Sequence, residues 1–195
     1  PLFTLFGPDG VRLRVEDCTP RLIVTNAEKA PLLASAGPRV LVADAAFFAQ
    51  LERFEPRFVA DTAADALAVF QYTSGTTREL PEAVKHTHRS IVTLMVAALY
   101  GTGLRPSDRF ICPSSPAWGH GLWHGTIAPL ALGVHAGAYS GRFDVGPLLA
   151  ALERPRVNTF AAAATVFRMI RQSGLRPRFD LRLAKISYTG EAMDA

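Results

Sequence analysis

Cysteine is scarce in this chain. Only Cys18 and Cys112 occur, each among apolar neighbours and neither with a second cysteine at metal-binding spacing. That excludes a disulfide framework and a cysteine-ligated zinc site. It fits a reducing compartment, so a cytoplasmic location is expected. Long apolar runs are missing too, since none reaches the ~18 residues that cross a bilayer. The longest candidate, 91–104, is bracketed by Arg89 and Arg105 and broken by Gly101 and Gly103, so it reads as a buried helix. Lysine is nearly absent: of 21 basic residues only Lys29, Lys85 and Lys185 are lysines. The formal net charge is +4, and its one dense cluster is Arg168, Arg171, Arg176, Arg178 and Arg182. A phosphate patch is one reading of that cluster and a solvated helix face with the loop after it is the other. It has no row of interleaved aromatics of the kind that stacks bases, so no nucleic-acid partner is expected. The opening PLFTLFGPDG lacks a basic region followed by an apolar one, so no signal peptide is read there. With no initial Met and no polar tail after YTGEAMDA, both ends are expected to be cuts. The phosphate-loop pattern G-x-x-x-x-G-K-[ST] and the nucleophile elbow G-x-S-x-G are both missing.

What is present is a globular composition. Hydrophobic residues make up 49% and charged residues 19% of 195 residues, enough for one domain or a piece of a larger one. Short branched apolar runs at 21–25, 39–43, 66–72, 109–112, 156–160 and 183–188 read as strands, with 83–88 and 134–139 as weaker candidates. The run 66–72 is apolar except for Gln71, as a strand covered on both faces should be. Helices are expected at 11–17, at 27–36 before Gly37, at 90–99, at 121–132 despite Pro129, at 144–154 capped by Asp144, and at 165–172 capped by Thr165. The stretch 47–58 is ambiguous. Strands separated by helices of about ten residues predict an α/β fold with a mostly parallel sheet and flanking helices. Ligands in such sheets bind beyond the C-terminal strand ends. Three polar loops are expected on that rim: YTSGTT after 66–72, CPSSPAWGHG from Cys112, and YTGE after Ile186.

The string YTSGTT, Tyr72 to Thr77, can turn backbone N–H groups inward as an anion-binding concavity. Gly75 permits close approach, and the hydroxyls add donors. Composition alone also allows a Ser/Thr turn bonded only to itself. His86 and His88 on one strand face, or His120 and His124 one helical turn apart, could each hold a metal. They could equally be a hydrogen-bonded edge and a pocket wall, and no third ligand is obvious. Trp118, Gly119, His120, Gly121 and Trp123 could shape a pocket or simply plug the sheet end.

The longer string FQYTSGTTRELPEAVKHTHRS resembles the phosphate-loop signature of the adenylate-forming (ANL) superfamily, the acyl-CoA synthetases and AMP-dependent ligases. That signature reads Thr-Ser-Gly-Thr-Thr-Gly, one variable residue, then Pro-Lys-x-Val-x-His. Thr73, Ser74, Gly75, Thr76, Thr77, Pro81, Val84, His86 and His88 match. PLFTLFGPDGVRLRVED, SSPAWGHGLWHGTIAPLALG and ISYTGEAM also resemble family segments in order, so the resemblance covers essentially the whole chain. It implies that Thr73, Ser74, Gly75, Thr76, Thr77 and Lys85 face the phosphates of ATP. Thr76 would reach Mg²⁺ through those phosphates. Gly190, Glu191 and Ala192 would border adenine, where composition alone reads a turn before a helix whose first residues include Glu191 and Asp194. Trp118, Gly119, His120 and Gly121 would line the acyl pocket.

The implied reaction joins a carboxylate to AMP and passes the acyl group to CoA, with ATP, Mg²⁺ and CoA as co-substrates of the intact enzyme. The resemblance places residues 1–195 in part of the large N-terminal, AMP-binding domain. The family's later Thr-Glu motif, ribose Asp and C-terminal domain with its catalytic Lys are absent, so no catalytic residue is assigned and the chain alone is expected to be inactive. Departures bear on the phosphate loop. Arg78 replaces a Gly, one extra residue precedes Pro81, and Glu82 replaces the Lys. These leave open a non-catalytic nucleotide- or acyl-binding module with a degenerate phosphate loop. An unrelated α/β protein using YTSGTT as a turn is the third reading.

Overall fold

The computed structural model describes residues 1–34, 37–72 and 83–193, arranged as two compact units, Leu2–Thr87 and His88–Ala195. In the first unit, α1 (Pro8–Cys18) opens with Pro at its first turn, where a missing N–H costs nothing, and stops at Thr19 in the left-handed conformation. The strands β1 (Leu22–Thr25) and β2 (Arg39–Val42) pair in parallel. Between them the expected helix 27–36 is only a single 3-10 turn, Ala30–Leu33. Pro31, which lacks an N–H to join a longer α-helix, sits in the first turn, where none is needed; Ser35 and Ala36 lie outside the described residues. Within the ambiguous stretch, α2 (Ala45–Leu51) begins where the Asp44 carboxylate accepts from the Phe47 N–H at 2.8 Å.

The strand β3 (Leu67–Tyr72) forms as expected, but its residues are at most half-buried rather than covered on both faces. It pairs antiparallel with β4 (Ala83–Thr87), the one antiparallel pair among the described strands of a mostly parallel fold. Ten residues separate the two in sequence, and a parallel return usually needs a connection of a dozen or more. The end of β3 is tied to α1. The Tyr72 hydroxyl donates to Asp17 at 2.6 Å, and the Arg14 guanidinium lies 3.9 Å from the Phe6 ring centroid and 5.5 Å from that of Tyr72. Burial, and then the bond to Asp17, push the Tyr72 phenol pKa above its ordinary value.

The second unit is the α/β body that the pattern predicts. Its sheet has four parallel strands in the order β6-β5-β7-β8: β5 (Arg109–Ile111), β6 (His135–Gly137), β7 (Thr159–Ala163) and β8 (Lys185–Thr189). Alternation along the strands feeds two cores. Phe110, Cys112 and Ala161 pack with Leu94, Ala98 and Ala128 of α3 (His88–Ala97), the turn after it and α4 (Ala128–Ala131). Ile111, Phe160 and Ala162 pack on the other face with Leu148, Leu149 and Leu152 of α5 (Val145–Glu153) and with Val166, Phe167 and Ile170 of α6 (Ala164–Ser173). Each fully buried Leu contributes about 1.5–3 kcal/mol over an exposed one.

Three local expectations change. The helix expected over 121–132 divides into a wide π-helical stretch, His120–Ile127, and α4, because Pro129 can only sit in the first turn of a helix. Thr165 does not cap α6; the cap position is Ala163, the last residue of β7, with no side-chain bond. His88 opens α3, so His86 and His88 do not share a strand face.

Candidate functional site

Because β5 to β8 all run the same way, their C-terminal ends lie along one edge. Pairing Ile111 with Gly137 and Phe160, and Ala163 with Thr189, fixes that edge. The chain leaves β5 toward β6 on one side, while β7 lies on the other side of β5. Connections that part in this way open a crevice beyond the strand ends, where α/β sheets bind ligands. Two of the three expected loops leave from this edge: the one after Cys112 and the one after Tyr188. The third, Thr73, Ser74, Gly75, Thr76 and Thr77, lies outside the described residues, as do Arg78 and Glu82. Of the phosphate group only Lys85 is described. It is exposed on β4, with its ammonium 5.7 Å from the Phe70 ring centroid.

The loop after β5 closes on itself through glycine. The carbonyls of Ser114 and Ser115 lie so near Gly121 that a Cβ there would fall 2.4 Å from the first and 2.1 Å from the second. Trp118 N–H donates to the Ser115 carbonyl at 3.0 Å, and Leu122 N–H to the Trp118 carbonyl at 2.8 Å. The π-helical stretch follows, with the Thr126 hydroxyl donating to the Gly121 carbonyl at 2.8 Å. Its wide turn brings the His120 Nδ1 to 3.1 Å from Ser114 Oγ and 3.8 Å from Cys112 Sγ. The rings of His120 and His124 stand 5.9 Å apart, tilted by 34°. Burial lowers both imidazole pKa values, and His124 lowers that of His120 further, so the pair is neutral near pH 7. Burial raises the Cys112 thiol pKa, against the opposing effect of bonds at Ser114. Trp118 is 45% exposed beside this half-buried group. The arrangement offers an aromatic face and neutral hydrogen-bonding groups, suited to an uncharged portion of a ligand.

The turn after β8 is held differently. Gly190 has φ +102°, a conformation side chains with a Cβ rarely adopt, and nothing packs where its Cβ would be. Glu191 then pairs with Arg168 of α6, Nη2 to Oε2 2.8 Å, and Ala192 is exposed. No helix begins through Met193, so the expected helix opening at Glu191 is a bend; Asp194 lies outside the described residues. Ser114 and Arg168 were not singled out for these roles by the sequence. The only signals were a Ser two residues past a strand end and membership of the arginine cluster. The other arginines, Arg171, Arg176, Arg178 and Arg182, are exposed, in keeping with a solvated face.

Lys185 serves the opposite edge. It forms an ion pair with Asp108, which is 4% exposed, and donates to the Gly103 carbonyl at 2.8 Å. Burial alone would raise the Asp108 pKa. The Lys185 ammonium, the Arg105 N–H and the Asn158 amide outweigh it and hold the pKa below the usual carboxylate value. Among the described residues, no three His, Cys, Asp or Glu side chains gather to hold a metal ion, and no helix is long and apolar enough to cross a membrane.

A family model described as "AMP-binding enzyme" matches residues 1–195. An uncharacterized acyl-CoA ligase, YtcI, of Bacillus subtilis is 35% identical over 124 residues, covering 63% of this chain and 23% of that protein. The acetyl-coenzyme A synthetase of the same organism is 26% identical over 214 aligned residues, covering all of this chain and 37% of its own length. The crystal structure of a Brucella canis acyl-CoA synthetase superposes with a TM-score of 0.85 at 28% identity, over 100% of this chain and 38% of that one. An anthranilate CoA ligase, AuaEII, solved with anthranoyl-AMP, shares the fold with a TM-score of 0.85 at 20% identity, over 98% of this chain and 40% of its own. The chain thus spans well under half the length of these relatives. With its α/β rim and a family match from end to end, the chain belongs to the AMP-binding enzyme family, whose relatives here are acyl-CoA synthetases and ligases.

Proposed function

We propose that this chain is part of the adenylation domain of an ATP-dependent acid–CoA ligase. The observation that carries the reading is the family match over residues 1–195, together with a sheet whose C-terminal edge bears both the Trp118 loop and the Gly190 turn. In this reading Thr73, Ser74, Gly75, Thr76, Thr77 and Lys85 hold the triphosphate, and Gly190, Glu191 and Ala192 border adenine. Trp118, Gly119, His120 and Gly121 receive the acyl group. A carboxylate oxygen bonds to the α-phosphorus while the bond to pyrophosphate breaks. The CoA thiolate then bonds to the acyl carbon, and AMP leaves. Mg²⁺ arrives with ATP as part of the substrate and offsets its negative charge. Donors aimed at the phosphates stabilise the charge that develops there. Among these groups, a neutral His120 oriented by Ser114 can meet an uncharged acyl chain without placing a charge beside it. The domain would work in the cytoplasm.

The segments expected to carry the Thr-Glu motif, the ribose Asp and the catalytic Lys are not in these residues, so the chain alone binds nucleotide without making acyl-AMP. The test is a titration of the 195-residue chain with ATP and with AMP, followed by an assay for acyl-AMP with a panel of short, medium-chain and aromatic acids. The expected result is weak ATP binding and no acyl-AMP. Acyl-AMP formed at rates ordinary for ligases would overturn the inactivity, and no ATP binding would overturn the nucleotide site. The second reading, a binding module with a degenerate phosphate loop, draws on Glu82 and Arg78. If Glu82 faces the phosphates, Glu82→Lys tightens ATP binding several-fold, as expected for replacing a repelling charge with an attracting one. Unchanged affinity places Glu82 away from them.

A further inference from the structure

From the ion pair between α6 and the turn after β8, we infer that Arg168 is a positioning residue for the adenine-bordering segment. The inference rests on the reading of Gly190, Glu191 and Ala192 given above and adds to it a residue from another element. Gly190 turns the chain at φ +102° with no atom within 4 Å of its would-be Cβ, and the residues from Tyr188 to Met193 are exposed. Packing therefore does not hold this turn. The contact that reaches its side chains is Arg168 Nη2 to Glu191 Oε2, 2.8 Å. Glu191 is the one acceptor that Arg168 has among the described residues, and Arg168 Nη1 is shut off from solvent without a partner. Among the described residues, then, the guanidinium has one carboxylate to hold.

Arg168 is itself well anchored. It lies one turn into α6, which starts directly from the buried end of β7, and Val166, Phe167 and Ile170 around it pack into the core. Ala163, the last residue of β7, pairs with Thr189, the last of β8. The first turn of α6 thus fixes the Arg168 end of the pair, and the sheet pairing holds β8 up to Thr189, two residues before Glu191. The ion pair ties the Glu191 side chain of the turn to α6. Half-exposed ion pairs add little to overall stability, so its effect falls on where residues 190–192 stand rather than on whether the unit folds.

The experiment compares the chain with Arg168→Ala, Glu191→Gln, the double variant, and the swap Arg168→Glu with Glu191→Arg. Two readouts are taken: amide ¹⁵N relaxation of residues 189–193 without ligand, and affinity for ATP against inorganic tripolyphosphate. The expected result is increased motion confined to the turn in each single variant. ATP affinity falls roughly three- to ten-fold, the double variant is no worse than either single one, and the swap recovers most of the loss; tripolyphosphate affinity does not move. A wild-type chain that binds ATP no better than tripolyphosphate overturns the adenine reading and this inference with it. A clear adenine preference that survives Arg168→Ala, or losses that add in the double variant, overturns this inference and leaves the adenine reading standing.

Discussion

Gly121 is the residue on which the loop after β5 turns, because two carbonyls occupy the space a methyl group would need. Gly121→Ala forces Ser114 and Ser115 outward or breaks the first π-helical turn. Overpacking of this kind costs about 1–3 kcal/mol. Urea denaturation should show that loss, with the tryptophan fluorescence of Trp118 and Trp123 altered in the folded state. The histidines beside it carry a pH signature. Burial depresses the pKa of His120 and His124 in the folded state. Below the ordinary imidazole value, about 6.5, the unfolded chain therefore binds more protons than the folded one. Stability contributed by these neutral rings is complete above that value and is lost progressively below it, as pH falls through the depressed folded-state pKa values. Unfolding free energies measured at pH 7.5 and pH 5 should differ more in the wild type than in His120→Gln/His124→Gln. Equal slopes would mean that the rings are not desolvated.

At the scale of elements, the two edges of the β5–β8 sheet do different work. The edge opposite the site is braced by polar groups: Asp108 with Lys185, and Asn158, which accepts from Arg109 N–H at 2.9 Å and donates to Asp108 at 3.3 Å. Lys185→Met leaves a nearly buried carboxylate with the Arg105 and Asn158 donors alone among the described residues. Such a change costs about 1–3 kcal/mol, and because the Asp108 pKa is depressed in the fold, the loss should shrink in strong acid, where that carboxyl is protonated. Nucleotide affinity should stay unchanged, since this edge faces away from the strand ends. On the α5 layer, Leu149 is fully buried, and Leu149→Ala should cost about 2–5 kcal/mol in denaturant unfolding. That helix was readable from its residues: Asp144 caps it through the Gly146 N–H at 2.8 Å, Leu148, Leu149 and Leu152 point inward, and Pro155 lies just beyond its end. The end of β7 was not. Ala161, Ala162, Ala163 and Ala164 favour a helix by intrinsic propensity. Yet Ala161 and Ala162 are wholly buried between two helix layers, where small side chains let the layers close, and the strand runs on to Ala163. Burial overrode propensity and carried β7 three residues past its expected end at Phe160.

For the whole molecule, the parallel body was legible because its apolar runs and caps alternate at regular spacing. The antiparallel pairing of β3 with β4 was hidden because apolar runs do not state direction; the shortness of the ten-residue connection was the one cue to it. At the candidate site, Trp118, Gly121 and Gly190 could be picked out by type and place in the chain. The side chains that meet their neighbours, Ser114 against His120 and Arg168 against Glu191, are brought there by the fold and carry no local signal. The phosphate loop is legible from its residues and the family they resemble, and it bears the central claim. Hydrogen exchange of the 195-residue chain, followed across residues 66–90 with and without ATP, tests that claim most directly. Slowed exchange at 73–77, abolished by Gly75→Val and reproduced by tripolyphosphate but not by adenosine, is the predicted result. Exchange at 73–77 unaltered by saturating ATP, with protection elsewhere in the chain, would contradict it.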